Sequence, residues 1–271
     1  MKKGIFLALA IMLAVALAGC GSSSDKTSSS GGSEKESKKV KVVTDATFAP
    51  FEYMDKGKIV GFDVDLLDAV MKEAGMEYEL KNIGWDPLFA AVQGKEADMA
   101  VSAITIDKDR KQTYDFSIPY FESTHMILVK EGSTIKNALD LKGKVVGVQN
   151  GTTGQTAVEK ILGAENKNIK KFENSVVAIM DLVNGGVEAV VTDNAVANEY
   201  VKNNPDAKVK AIEDRKNFES EFYGFMFPKG SELKAKIDPA LKKVIESGKY
   251  TEIYKKWFGK EPNIDNLLKQ Q

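Results

Sequence analysis

From residue 40 to residue 258 the chain alternates short, β-branched apolar runs with amphipathic segments of helical period. This restricts it to an α/β architecture in which strands and helices interleave. The strand candidates are residues 40–44, 77–81, 98–104, 126–129, 144–148, 187–192 and 223–227. Several helices between them have legible ends. Residues 63–74 carry Leu66, Leu67, Val70 and Met71 on one face and stop at Gly75, a C′ glycine. Asp86-Pro87 reads as an N-cap followed by Pro at the first helical position, opening a helix that runs to near Gly94. Ser175 is placed to cap residues 176–183, which Gly185-Gly186 end, and helical periods also fit residues 153–162, 195–203, 231–246 and 250–258.

The segment ahead of residue 40 is built differently. Met1 to Lys3 is basic, residues 5–17 form a run of roughly 13 apolar positions, and Leu17-Ala18-Gly19 brings small residues up to Cys20, the organisation of an export signal over residues 1–19. The run is short for a bilayer span. Leu17-Ala18-Gly19-Cys20 resembles the lipobox of bacterial lipoproteins, which implies that Cys20 becomes an acylated N-terminus. More than one acyl chain, at about 0.8 kcal/mol per buried methylene, anchors a protein where a single chain does not. Residues 20–39 then form a flexible spacer of Ser, Gly, Lys, Glu, Asp and Thr that cannot seed a core. The expected location is the extracellular face of a Gram-positive cell membrane. Cys20 is the sole cysteine, so neither disulfides nor cysteine-ligated metal can hold the rest together. With the signal removed, 36 basic residues, the 38 of the chain less Lys2 and Lys3, face 39 acidic ones; a net −3 disfavours nucleic acid as a partner.

Chemistry-bearing residues gather where strands hand over to loops or helices, the usual place for ligands in open α/β sheets. The first group is the segment from Thr44 to Tyr53, with Asp45, Phe48 and Glu52, followed by Gly61-Phe62-Asp63. The second is Asn82-Ile83-Gly84-Trp85-Asp86-Pro87, which puts Trp85 in a loop just ahead of a helix. The third runs from Ser102 through Ala103 and Thr105 to Arg110, whose guanidinium has the fork geometry for a carboxylate. The fourth pairs Gly151-Thr152-Thr153-Gly154, where a helix opens with unbonded N–H groups and a favourable dipole, with Asp193 at a strand end. Gln155-Thr156 departs from the Lys-Ser/Thr of a phosphate loop. Taken singly, these residues have plainer readings: an Asx turn at Asp45, a core aromatic at Phe48, a solvent-facing Glu52, a solvated Arg110, a helix N-cap at Asp193.

Together they resemble the extracellular solute-binding proteins of polar amino acid ABC importers, the group that includes the glutamine, histidine and lysine/arginine/ornithine binders. The likeness runs from Val40 to about Pro262. It implies a two-lobed periplasmic-binding-protein type II fold, with residues 40–121 plus 223–271 in lobe 1, residues 126–222 in lobe 2, and two hinge strands between. It further implies that Asp45 reads the ligand's side chain between the rings of Phe48 and Trp85, and that Ser102 points into the same pocket. Thr105 and the Ala103 carbonyl would contact the α-groups, Arg110, Thr152 and Thr153 the carboxylate, and Asp193 the ammonium. Gln149 stands where glutamine binders tend to carry a lysine; with that cation gone and negative charge on Asp45 and Glu52, the expected ligand is a basic L-amino acid, arginine first, then lysine or histidine. The expected partners are that free amino acid, an importer permease with its ATPase, and the membrane through the lipid; a monomer with no cofactor or metal is expected. Glutamine or another polar amino acid stays open as the ligand. So do a cyclohexadienyl-dehydratase-like enzyme and a ligand sensor on the same fold. Against catalysis, His125 is the single histidine and no H-E-x-x-H or G-x-S-x-G motif occurs; His125 is expected near the hinge.

Overall fold

The computed structural model describes residues 39–270; the export signal, Cys20 and the spacer ahead of Lys39 lie outside the described residues. Two five-stranded sheets built on one plan carry the fold. In the first, the order is Tyr78–Asn82, Val40–Thr44, Met99–Ala100, Met226–Pro228, Tyr114–Phe116. Val40–Thr44 is parallel to both of its neighbours, and Met226–Pro228 is antiparallel to both of its own. The second repeats this with Ile169–Phe172, Val146–Gln149, Ala189–Asp193, His125–Lys130 and Val209–Glu213.

Burial on both faces explains the β-branched runs. Val42 packs with Leu66, Leu67 and Val70 of helix Phe62–Glu73 on one side, while the adjacent Val43 packs with Leu88 and Val92 of helix Trp85–Gln93 on the other. Val191 and Val190 divide in the same way between the two sides of the second sheet. A strand covered on both faces loses the apolar/polar alternation and reads as continuous apolar sequence.

The chain leaves the first sheet along Phe121–Ser123 and returns along Glu221–Tyr223, and these two strands pair antiparallel, Tyr223 opposite Phe121. Aromatic rings wedge against this crossing: Phe51 lies edge-on to Phe121 at 4.8 Å and to Tyr223 at 5.3 Å.

Several expected elements change. The strand expected at 98–104 is ordered only over Met99–Ala100, because Ala103 takes a left-handed φ of 44° that turns the chain out of the sheet. The run 223–227 divides into Glu221–Tyr223 in the crossing and Met226–Pro228 in the first sheet. Helix 231–246 starts at Lys234 and carries Pro239 within it. Gly84, not Asp86, is the N-cap of helix Trp85–Gln93, so Trp85 is its first residue rather than a loop residue. Asn174 rather than Ser175 caps Ser175–Asn184, its side chain accepting from the Val177 N–H.

Glycine is indispensable at position 61, where φ is 144° and an added Cβ would stand 1.9 Å from the Phe51 carbonyl oxygen. Gly61→Ala is expected to cost on the order of 3 kcal/mol or more, combining backbone strain with overlap. Chemical denaturation of the variant against the parent measures it, and a loss under about 1 kcal/mol would show that the helix start can move.

Candidate ligand-binding site

The twelve residues expected to contact ligand all line one narrow cavity between the lobes, together with Gly154, Ser175, Val191 and Thr192. Asp45 and Phe48 come from the segment that follows the first strand of lobe 1, Glu52 from the start of strand Glu52–Asp55, and Trp85 from the N-terminus of its helix. Ser102, Ala103 and Thr105 lie on the segment that departs from Met99–Ala100, and Arg110 begins a four-residue helix. Gln149, Thr152 and Thr153 sit where Val146–Gln149 passes into helix Thr153–Leu162, and Asp193 ends Ala189–Asp193.

The lobes are closed on each other. Gln149 Nε2 donates to Asp45 Oδ2 at 3.3 Å, Asn150 Nδ2 to Asp86 Oδ2 at 3.3 Å, and Arg110 Nη2 to the Gly151 carbonyl at 3.2 Å. The hydroxyls of Thr105 and Thr153 meet at 3.5 Å.

Arg110 is more committed than the sequence suggests. Nη1 donates to the Thr105 carbonyl at 2.9 Å, Nε stands 3.3 Å from Asp107 Oδ2, and the guanidinium lies 5.5 Å from the Trp85 ring and 5.2 Å from Phe89. Of its five N–H donors, one on each terminal nitrogen remains, which still suits a two-pronged bond to a carboxylate. Opposite it, Thr152 caps its helix by accepting from the Gln155 N–H. The N–H groups of Thr153 and Gly154 have no partner within the helix and sit at its positive end.

Asp193 occupies the N-cap position of helix Asn194–Asn203, but its side chain makes no capping bond. Instead it accepts from the Tyr223 hydroxyl and lies 3.5 Å from His125 Nε2, which is also 3.5 Å from Glu221 Oε1. Burial first, then the neighbouring Glu221 charge, raise the Asp193 pKa to about 6 against the pull of His125. Thr153 Oγ1 joins the group, donating to Glu221 Oε1 at 3.2 Å and meeting His125 Nε2 at 3.3 Å. His125, Asp193 and Glu221 are close enough to bear on one ion, with the imidazole lying between the two carboxyl groups.

At the other end a directed chain of hydrogen bonds reaches Asp45. Ser175 Oγ donates to Gln149 Oε1 at 3.0 Å while meeting Thr192 Oγ1 at 3.3 Å, and this turns the Gln149 NH₂ toward Asp45. Asp45 is 4 % exposed, and burial raises its pKa although Thr47 and Gln149 donate to it. The charged groups that act on it, Glu173 and Asp86, are both acidic.

Glu52 does not face solvent. It is 1 % exposed, Oε1 accepts from Ser102 Oγ at 3.1 Å, and burial followed by the Asp63 charge raises its pKa well above its ordinary value. Sequence reasoning missed Ser175, Tyr223 and Glu221 as parts of the site, and it grouped Asp63 with the first motif without giving it a role. Asp63 is an acid on the same buried helical face as Leu66, Leu67 and Val70.

Two lobes joined by a paired double crossing, with a polar cleft shut between them, define a solute-binding protein of the type II periplasmic-binding class. Residues 40–260 match the bacterial extracellular solute-binding proteins, family 3, and the chain belongs to that family. It is 44% identical over 264 residues to a probable histidine-binding protein of Neisseria gonorrhoeae, covering 96% of this chain and 97% of that one. It is 36% identical over 261 residues to the arginine-binding extracellular protein ArtP of Bacillus subtilis, covering 95% and 98%. The crystal structure of the arginine-, lysine-, histidine-binding protein ArtJ from Geobacillus stearothermophilus superposes with a TM-score of 0.84 at 73% identity, over 85% of this chain and 100% of that one.

A carboxyl group raised by folding stabilises the protein fully below its unfolded pKa and loses that contribution as pH rises through the folded value. For Asp193 the window runs from the unfolded value near 4 up to about 6. The stability of Asp193→Asn relative to the parent, both without ligand, should therefore improve by about 2 kcal/mol between pH 4 and pH 7. Denaturant titrations at the two pH values measure this, and a constant difference would mean that Asp193 ionises normally.

Proposed function

We propose that the protein captures a basic L-amino acid between its lobes, arginine before lysine or histidine, and presents the closed complex to an importer permease and its ATPase. The observation that carries this reading is Asp45. It is a buried carboxylate on the cavity wall whose partners are neutral and whose charged neighbours are acidic, so a cationic side chain supplies the missing countercharge. Phe48 and Trp85 on the same cavity offer faces to that cation, a contact worth about 0.5–2 kcal/mol. The zwitterion fits the other end, its carboxylate on Arg110 and the first turn at Thr152-Thr153, its ammonium on Asp193, Thr105 and the Ala103 carbonyl. Ser102 and Gln149 complete the side-chain end.

Contacts drawn from both lobes make ligand and closure mutually dependent, since only the closed form satisfies both sets. The histidine- and arginine-binding relatives support the cationic class of ligand. They also favour transport over the dehydratase-like alternative, because those relatives are named as binding proteins. The lipid at Cys20 would tether the protein beside its permease, and the protein works as a monomer.

Calorimetric titration with arginine, lysine, histidine and glutamine, after unfolding and refolding to remove carried-over ligand, tests the reading. Arginine should bind far more tightly than glutamine; a glutamine preference would overturn the role of Asp45 while keeping the α-group contacts. Asp45→Asn should weaken arginine roughly tenfold to a hundredfold, the worth of one charge-assisted bond, and glutamine much less. Arg110→Ala should weaken every amino acid alike by at least as much, and normal binding by that variant would remove the carboxylate assignment.

A further inference from the structure

Behind the side-chain end of the cavity lies a second buried acid, Asp63, 1 % exposed, and the two acids are held by adjacent residues, Glu52 by Ser102 and Asp63 by Ala103. One oxygen of each carboxyl is fully engaged. Glu52 Oε1 accepts from Ser102 Oγ at 3.1 Å, while Asp63 Oδ2 accepts from the Ala103 N–H at 2.8 Å and the Tyr120 hydroxyl at 2.7 Å. The other two, Glu52 Oε2 and Asp63 Oδ1, are buried and meet no N–H or hydroxyl donor. Two carboxyl groups can bond to each other only through a proton, and a buried oxygen left without one carries a desolvation cost of about 1–3 kcal/mol or more. Asp63 already accepts two donors, which favours the charge there; Glu52, with one, keeps the proton. The titratable groups around the pair, Asp45, Tyr120 and Tyr250, bring it no positive charge.

We propose that Glu52 and Asp63 hold a single proton between them, so that Glu52 meets the ligand as a neutral acid and acts as a positioning residue for the Ser102-Ala103 backbone. The bonds continue in the required direction. Ser102 Oγ gives its proton to Glu52 and accepts the Asp45 N–H at 3.0 Å, while Asp63 fixes the N–H of Ala103, whose left-handed φ of 44° would not hold itself. The acid pair thereby aims both the Ala103 carbonyl and the segment bearing Asp45, and Asp45 alone presents negative charge to the ligand's side chain.

Glu52→Gln tests this, because an amide can donate to Asp63 and accept from Ser102 without any ionisation. In infrared spectra of the ligand-free protein in D₂O at pH 7, the parent should show the C=O stretch of a protonated carboxylic acid, and Glu52→Gln should lose it. Absence of that band from the parent overturns the proposal, whether or not any variant folds, as does a band that survives in Glu52→Gln. In calorimetry, which rests on the amino acid reading above, Glu52→Gln should keep arginine affinity within about threefold, and Glu52→Ala should lose more than tenfold. A folded Glu52→Gln that loses arginine more than tenfold while holding glutamine would make Glu52 a charged reader of the side chain and defeat the proposal. A parent that shows the band but binds no amino acid would refute the ligand and leave the acid pair standing.

Discussion

The antiparallel pairing of Phe121–Ser123 with Glu221–Tyr223 is the constraint from which the site follows. Because the chain crosses twice at the same place, each lobe is folded from its own β-α units, yet both are hung from one narrow ribbon. Tyr223 shows how tightly that ribbon is joined to the cavity. Its ring stacks on Phe121 at 5.4 Å, its backbone bridges to Thr105, and its hydroxyl donates to Asp193. His125, two residues beyond the outgoing strand, lies between Asp193 and Glu221, the latter at the start of the returning strand. Groups that would contact the α-ammonium are therefore wired to the segments about which the lobes must move.

The electrostatics of the cavity are divided between its ends. Arg110 spends three donors on its own surroundings and keeps two, while Asp193 is relieved of the capping duty that its place at a helix start would normally impose. At the far end, one carboxylate stands against a neutral amide and two aromatic rings. Burial makes each of these charges expensive without its complement. That expense makes the cleft selective, since a ligand missing either end leaves a buried charge unanswered.

Much of the architecture was legible because covering a parallel strand on both faces produces the dense β-branched runs at Val40–Thr44 and Ala189–Asp193. Apart from Tyr78–Asn82, expected at 77–81, the outer strands were not. Ile169–Phe172 carries Lys170 and Lys171, and Val209–Glu213 carries Lys210 and Glu213, as suits sheet edges but hides them in the sequence. Contact residues grouped by local motif were likewise readable around Asp45, Trp85 and Arg110. Their supports were not, because Ser175 stands 26 positions from Gln149, Tyr223 stands 30 from Asp193, and Asp63 stands 40 from Ala103. Each such partner becomes a neighbour only once the sheets and the crossing have formed.

The hydrogen-bond chain from Thr192 through Ser175 and Gln149 to Asp45 has a direction, since each member donates toward the next. An amide has a donor end and an acceptor end, and which of them the cleft meets is settled by a serine behind it. Reversing that serine's bond, or deleting its hydroxyl, would let the Gln149 side chain rotate and offer its oxygen where it now offers NH₂. The polarity of the pocket wall is thus inherited from the N-terminus of a neighbouring helix. A lineage can retune what it carries by changing a residue one step removed from the cargo, leaving the binding side chains as they are.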